Sequence, residues 1–232
     1  MDKALTSSKL HCLCPQDGFI LEQLQGEFPA AYLLLHPFLQ PRTLPLASFT
    51  PEHYPSRSQI VADCQPVSWQ SVVAGLGLPD IAAIDIALGT LSLSLRQEFC
   101  RDDYAQQLVQ YCEQQGLIPP DNGYLPDICY ASWLDMLAGD NDHLWCGDEF
   151  GEDCLPITLD ELSGDGDTLA PYPHARFFSA DGEVMLCTHW DRYYSLLAGT
   201  PDRLQPFTRF EGFYCQPDTY VRWSRPSLHA GA

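Results

Sequence analysis

Residues 140–154 read DNDHLWCGDEFGEDC. Six carboxylates, those of Asp140, Asp142, Asp148, Glu149, Glu152 and Asp153, surround Trp145, Phe150 and two cysteines. Such a set could bind a cation, run acid–base chemistry or meet a basic partner. Calcium fails on register. A loop opening at Asp140 has Asp142 in the third place, then Leu144 in the fifth, Trp145 where glycine is required and Gly151 where the closing glutamate belongs. Structural zinc fails on spacing, because Cys146 and Cys154 lie eight apart and Cys12 and Cys14 form C-x-C. His11, Cys12 and Cys14 supply three donors without a fourth. No metal or cofactor is therefore expected.

Catalytic motifs are absent too. The chain has no G-x-S-x-G elbow, no H-E-x-x-H and no G-x-x-x-x-G-K-[ST]. His189 could pair in space with Cys187 or Cys215, but nothing in sequence supplies the third group that orients an activated nucleophile. Carboxylate pairs for hydrolysis are defined by spatial separation, which the sequence does not show.

Binding is the chemistry the charge favours. The 232 residues hold 31 acids and 12 bases. Residues 102–175 contain 16 acids and no lysine or arginine, a net of −16; the remaining 158 hold 15 acids and 12 bases, a net of −3. Such a surface suits a basic protein or cations. It does not suit nucleic acid or an anionic membrane, which need Lys and Arg. The densest part adds Asp160, Glu161, Asp165 and Asp167 to the six acids above, with Trp145, Phe150 and Tyr172 interleaved. The expected docking residues are thus Asp140, Asp142, Trp145, Asp148, Glu149, Phe150, Glu152, Asp153, Asp160, Glu161, Asp165 and Asp167. Crowded like charges also predict raised carboxyl pKa values wherever nothing compensates them. Two other readings stand beside this one: a hydrolase or transferase with a Cys/His or carboxylate pocket, and an acidic surface that only keeps the protein in solution.

The elements that position these residues follow from periodicity and turn chemistry. Asp17 opens a short helix over 17–25. The run AAYLLLHPF (30–38) is a buried strand ended by Pro37. Residues 39–66, rich in proline, form a long surface loop. A Ser68-capped helix covers 68–77, and Ile81, Ile84, Leu88, Leu91 and Leu95 mark a long buried helix over 80–99. Helices over 102–115 and 127–138 end at Gly116 and Gly139. Short strands at 144–146 and 155–159 flank the acidic loop. ARFFSADGEVMLCTHW (175–190) is a hairpin turning at 180–182. DRYYSLLAG (191–199) is a helix closed by Gly199, and RFEGFYC and TYVRW are two final strands joined at 216–218. The expected fold is a single α+β domain over 1–232, with a helical middle and a mostly antiparallel sheet formed largely by the C-terminal third.

The N-terminus has no apolar stretch of signal-peptide length, and no run approaches a membrane span. Ten cysteines in a chain of this size then read as reduced thiols in a cytoplasmic protein.

The pattern EVMLCTHWDRYYSLLAG…FEGFYCQPDTYVRW resembles small bacterial proteins encoded beside toxins, the immunity proteins of polymorphic or contact-dependent toxin systems. LLLHPF is similar to a segment of an uncharacterised bacterial domain family with a comparable ending. The resemblance implies a non-enzymatic inhibitor that blocks the basic active-site cleft of a toxic, nuclease-like enzyme. It assigns no individual contact residue.

Overall fold

The run AAYLLL has no polar face, so it must be covered on both sides. In the computed structural model, which describes residues 8–16, 18–24, 26–164, 171–172 and 174–221, it is an inner strand of an antiparallel sheet. In chain order the elements are β1 (Gly18–Phe19), α1 (Ile20–Gln23), β2 (Ala30–Leu35), β3 (Phe38–Pro41), α2 (Arg57–Asp63), β4 (Cys64–Val67), α3 (Trp69–Leu76) and α4 (Ile81–Leu91). There follow α5 (Asp102–Gln115), α6 (Asp127–Ala138), β5 (His143–Gly147), β6 (Cys154–Thr158) and α7 (Leu159–Leu162). Then come β7 (Arg176–Phe178), β8 (Met185–Thr188), β9 (Tyr194–Gly199), α8 (Pro201–Leu204), β10 (Gly212–Tyr214) and β11 (Tyr220–Val221).

The main sheet has seven strands in the order β10-β2-β9-β8-β7-β5-β6, with neighbours antiparallel. Alternate side chains enter two separate cores. Ala31, Leu33, Leu35, Phe178, Met185 and Leu196 pack against α3, α4 and α5 through Trp69, Ile84, Leu88 and Leu108. Tyr32, Leu34, Cys146, Phe177, Leu186 and Leu197 pack against α6 through Trp133, Leu134 and Leu137. The result is an α+β fold with helices on both faces of an antiparallel sheet. No single helix among the described residues is long and apolar enough to cross a membrane; α3 and α4 meet that test only together, bent by 92°.

Several expected elements stand. Ser68 accepts from the Ser71 backbone N–H to cap α3, and Gly77 and Gly116 take left-handed conformations (φ 67° and 65°) after α3 and α5. The hairpin at 175–190 forms as β7 and β8.

Five expectations change. Residues 191–199 contain no helix: β9 is buried along its whole length between β2 and β8. A short run that is apolar on both faces has no periodicity to separate strand from helix, and Gly199 pairs with Ala30 instead of capping. The buried helix at 80–99 stops at Leu91. Leu93 turns the chain back with φ 59°, and Leu95 returns to pack where Gly89 has no side chain. The helix expected over 17–25 is reduced to α1, with Phe19 at its N-cap; Asp17 lies outside the described residues. The 39–66 loop holds β3, α2 and β4. α2 is opened by a Ser56–Gln59 capping box, and β3 pairs with β4. The two final strands do not pair with each other: β10 adds to β2, and β11 pairs with β1.

Candidate functional site

β5 and β6 pair from His143↔Thr158 to Gly147↔Cys154, and this register divides the acidic residues. Asp140 and Asp142 precede β5, and Asp160 and Glu161 follow β6 in α7, so these four sit at one end. Asp148, Glu149, Phe150, Glu152 and Asp153 form the loop at the other end. Five residues of strand separate the two groups by about 17 Å. Trp145, between them, is half-buried. It packs into the core and donates from its ring nitrogen to the Ala180 carbonyl (3.1 Å), so it faces inward. Asp165 and Asp167 lie outside the described residues.

The wider acidic stretch is divided as well. α5, with Asp102, Asp103 and Glu113, covers one side of the sheet, and α6, with Asp127 and Asp135, covers the other. The described acids of this stretch therefore do not share one face.

Partners also compensate acids that the sequence left bare. Hydrogen bonding by His143 (3.1 Å) holds the Asp142 carboxyl below the ordinary range. The Thr158 backbone N–H (2.8 Å) and hydroxyl (2.7 Å) do the same for Glu161. At both positions a partner compensates the carboxylate, so the condition for a raised pKa is not met.

The loop at 148–153 is a built tip. Arg176, 0% exposed, donates to the backbone carbonyls of Asp148, Cys12 and Leu10, and its guanidinium lies 3.5 Å from the Asp148 carboxylate. Asp148 in turn accepts from the Glu152 N–H (3.0 Å). His11 Nδ1 donates to the Gly151 carbonyl at 2.9 Å, which ties the 3-10 turn at Ser8–His11 to the tip. What remains open is apolar: Phe150 (69% exposed), Leu13 (44%) and Leu155 (36%), with Glu149, Glu152 and Asp153 around them. Pro156 lies on the edge strand β6, where it lacks an N–H to offer another strand.

All ten cysteines are free. Cys187 is 1% exposed, and burial first, then Cys14, raise its thiol well above the ordinary value, so it is held as a neutral thiol. Burial pushes Cys146 up to about 12. His189 is held down to about 4 by burial, Arg192 and His174, and its Nδ1 accepts from the Asp191 N–H (3.2 Å). No group of three or more His, Cys, Asp or Glu able to hold a metal occurs among the described residues.

A second site was not legible in the sequence. A groove of about 1180 Å³ opens between the 51–57 segment, the 119–127 segment, the first turn of α6 and residues 171–172 and 174–177. Prolines 37, 51, 55, 119, 120, 126 and 171 stiffen its walls. Arg57 lies over the Tyr130 ring (3.6 Å to the centroid) and pairs with Asp127 at 3.0 Å. Tyr124 stacks on His174 (5.1 Å between centroids). Asp121 keeps an open flank on the groove although protein surrounds it on its other sides. That surrounding mass raises its carboxyl, Tyr54 hydrogen bonding opposes the shift, and Asp127 adds to it. The same burial, together with Asp121, raises the Tyr54 phenol.

Behind one wall runs a buried polar chain. Thr188 and Ser195, cross-strand partners, share a hydrogen bond of 2.7 Å between their hydroxyls. Ser195 then meets His36 Nε2 at 2.8 Å, and His36 Nδ1 faces the Asp121 carbonyl at 3.4 Å. Burial holds His36 down to about 3, so the ring is neutral. Proline-rich segments carrying Tyr, Asp and Arg (PEHYPSR, PPDNGYLPD) were the available signal, because rigid loops on a scaffold favour binding residues.

Comparison with known proteins is sparse. The uncharacterized protein YwbB of Bacillus subtilis (strain 168) is 33% identical over 93 residues, covering 38% of this chain and 41% of that protein. The chain thus matches less than half the length of that relative. No solved structure matches. A family model described as a protein of unknown function, DUF2711, matches residues 16–225, and the chain belongs to that family.

Proposed function

We propose that this chain is a non-enzymatic binding protein that neutralises a basic protein partner, and that it docks through the tip of the β5–β6 hairpin. The observation that carries the proposal is Phe150. Its ring is 69% exposed at the centre of a loop bearing Glu149, Glu152 and Asp153, with Leu13 and Leu155 as further open apolar groups. An aromatic anchor within a charged rim is the arrangement of an interface hot spot, and the rim steers an oppositely charged partner during encounter. Arg176 and His11 hold the tip in place before binding, which lowers the ordering cost. Asp140, Asp142, Asp160 and Glu161 lie at the far end of the hairpin and act only at long range.

The resemblance to immunity proteins supplies the partner class: a toxic enzyme with a basic cleft, met in the cytoplasm. The tip carboxylates would occupy the positions of the phosphates that such a cleft binds. The test is co-purification from the native host, beginning with the product of the adjacent upstream reading frame, followed by association kinetics. Glu149→Gln, Glu152→Gln and Asp153→Asn together should slow association by about tenfold or more, as should raising salt from about 50 to 500 mM. Asp148 is left intact because Arg176 needs it. Equal association by wild type and the triple variant, or a rate independent of salt, would sink the proposal.

A further inference from the structure

The groove is a separate site, and its chemistry selects a ligand. Among its described lining residues Arg57 is the one lysine or arginine, and it is already committed to Asp127 and to the Tyr130 ring. Glu52 and Asp121 line the groove without a cationic partner at contact distance among the described residues. Four tyrosines, at 54, 124, 130 and 172, supply aromatic faces or phenol oxygens. Tyr130 is 7% exposed, and its hydroxyl has no hydrogen-bond partner among the described residues.

The buried chain adds a direction. The Asp121 carbonyl can only accept, so His36 Nδ1 carries the proton and Nε2 is the acceptor. Ser195 must then donate to Nε2. Its oxygen therefore accepts from the Thr188 hydroxyl. Thr188, which lines the groove, has spent its one proton on Ser195, so its oxygen can only accept from a ligand. Carboxylates, π faces and a threonine locked as an acceptor all call for donors and positive charge.

We propose that the groove binds a small organic cation, an ammonium attached to an apolar or aromatic body, with the ammonium between Asp121 and Thr188 and the body against the tyrosines. Carboxylates neutralise the ammonium and accept from it, and the tyrosine faces stabilise it as its water is stripped away. None of the docking residues at the hairpin tip takes part, so this proposal and the docking proposal fail independently.

Titration calorimetry of the full chain with benzylammonium tests it. Benzyl alcohol serves as the neutral isostere and benzoate as the anionic one. Benzylammonium should saturate one site at least about tenfold tighter than benzyl alcohol, with no saturable binding of benzoate. Asp121→Asn should weaken the amine by about tenfold and leave the alcohol within about twofold. Glu52→Gln, an exposed change that the fold tolerates, should weaken the amine by about threefold through charge alone. Thr188→Val should lower amine affinity, while the Glu149/Glu152/Asp153 triple variant should not. Absence of saturable amine binding at millimolar concentrations, equal affinity for amine and alcohol, or unchanged affinity in both Asp121→Asn and Glu52→Gln would each overturn the proposal.

Discussion

The hairpin tip and the groove open at the same end of the sheet, since Gly147 pairs with Cys154 and Arg176 where β8 closes at Thr188, paired with Ser195 near the start of β9. Both are acidic, yet they use charge differently. The tip is convex. The carboxylates of Glu152 and Asp153 stand in water, where one contact is weak but the summed field reaches a partner before contact. The groove is concave and walled by prolines and tyrosines. There two uncompensated carboxylates act at contact, because low-dielectric walls concentrate the field. The number of acids is thus a poor guide to what each region does. Curvature and the neighbours of each carboxylate decide it.

The largest expected difference between the regions lies in their arginines. Arg176 is buried and satisfies three backbone carbonyls beneath the tip, so Arg176→Ala leaves those acceptors and Asp148 uncompensated. That should cost about 3–5 kcal/mol in urea unfolding. Arg57 in the groove is only half-buried and can be replaced by water, so Arg57→Ala should cost about 1 kcal/mol. Equal losses would erase the distinction between a tip that is built in and a groove that is merely lined.

The second difference is in acid sensitivity. His36 behind the groove is held down to about 3, and His189 to about 4, chiefly by burial. Unfolded histidine takes up its proton near pH 6.5. Below that pH the unfolded chain binds protons that the folded chain refuses, so stability is complete above about 6.5 and falls toward pH 4. Each histidine contributes a slope of up to about 1.4 kcal/mol per pH unit. Asp181, lowered to about 2 by Arg203 and Ser179 against opposing burial, acts in a different window. Its contribution is present above about pH 4 and is lost as pH falls through 2. Unfolding free energies that stay flat between pH 7 and 5 would show that His36 and His189 protonate in the folded state, which would also undo the assigned polarity of Thr188.

The sequence was informative where one local rule acted alone. α3, α5 and α6 were legible because a helical stripe met a capping serine or a closing glycine. β9 was not, because burial from both faces removes periodicity, and Asp191 and Gly199 imitate caps. α2 was hidden because Ile60 is its one buried residue, too few for a stripe. The acidic loop was visible as composition, but its division into two ends depends on strand register, and Arg176 reaches Asp148 from 28 residues away. The groove escaped because Tyr54, Thr188 and the Asp121–Tyr130 stretch come from three distant segments that only the fold brings together.

The smallest expected effect on stability is the most informative about the tip. Trp145 and Phe150 are the two aromatics of the acidic segment. Trp145 packs inward with its ring nitrogen bonded, and truncating it to alanine should cost about 3 kcal/mol or more. Phe150 is mostly open, so Phe150→Ala should change folding free energy by no more than about 0.5 kcal/mol. It should nevertheless weaken binding to the basic partner by about tenfold or more, chiefly through faster dissociation, because the acids and not the ring govern encounter. The triple charge variant should show the reverse pattern, slowing association and sparing dissociation. A Phe150→Ala variant that loses more than about 1 kcal/mol of stability would mean that the ring rests on Leu13 and Leu155 as satellite core. The tip would then carry charge without an anchor, and the docking proposal would lose the observation on which it stands.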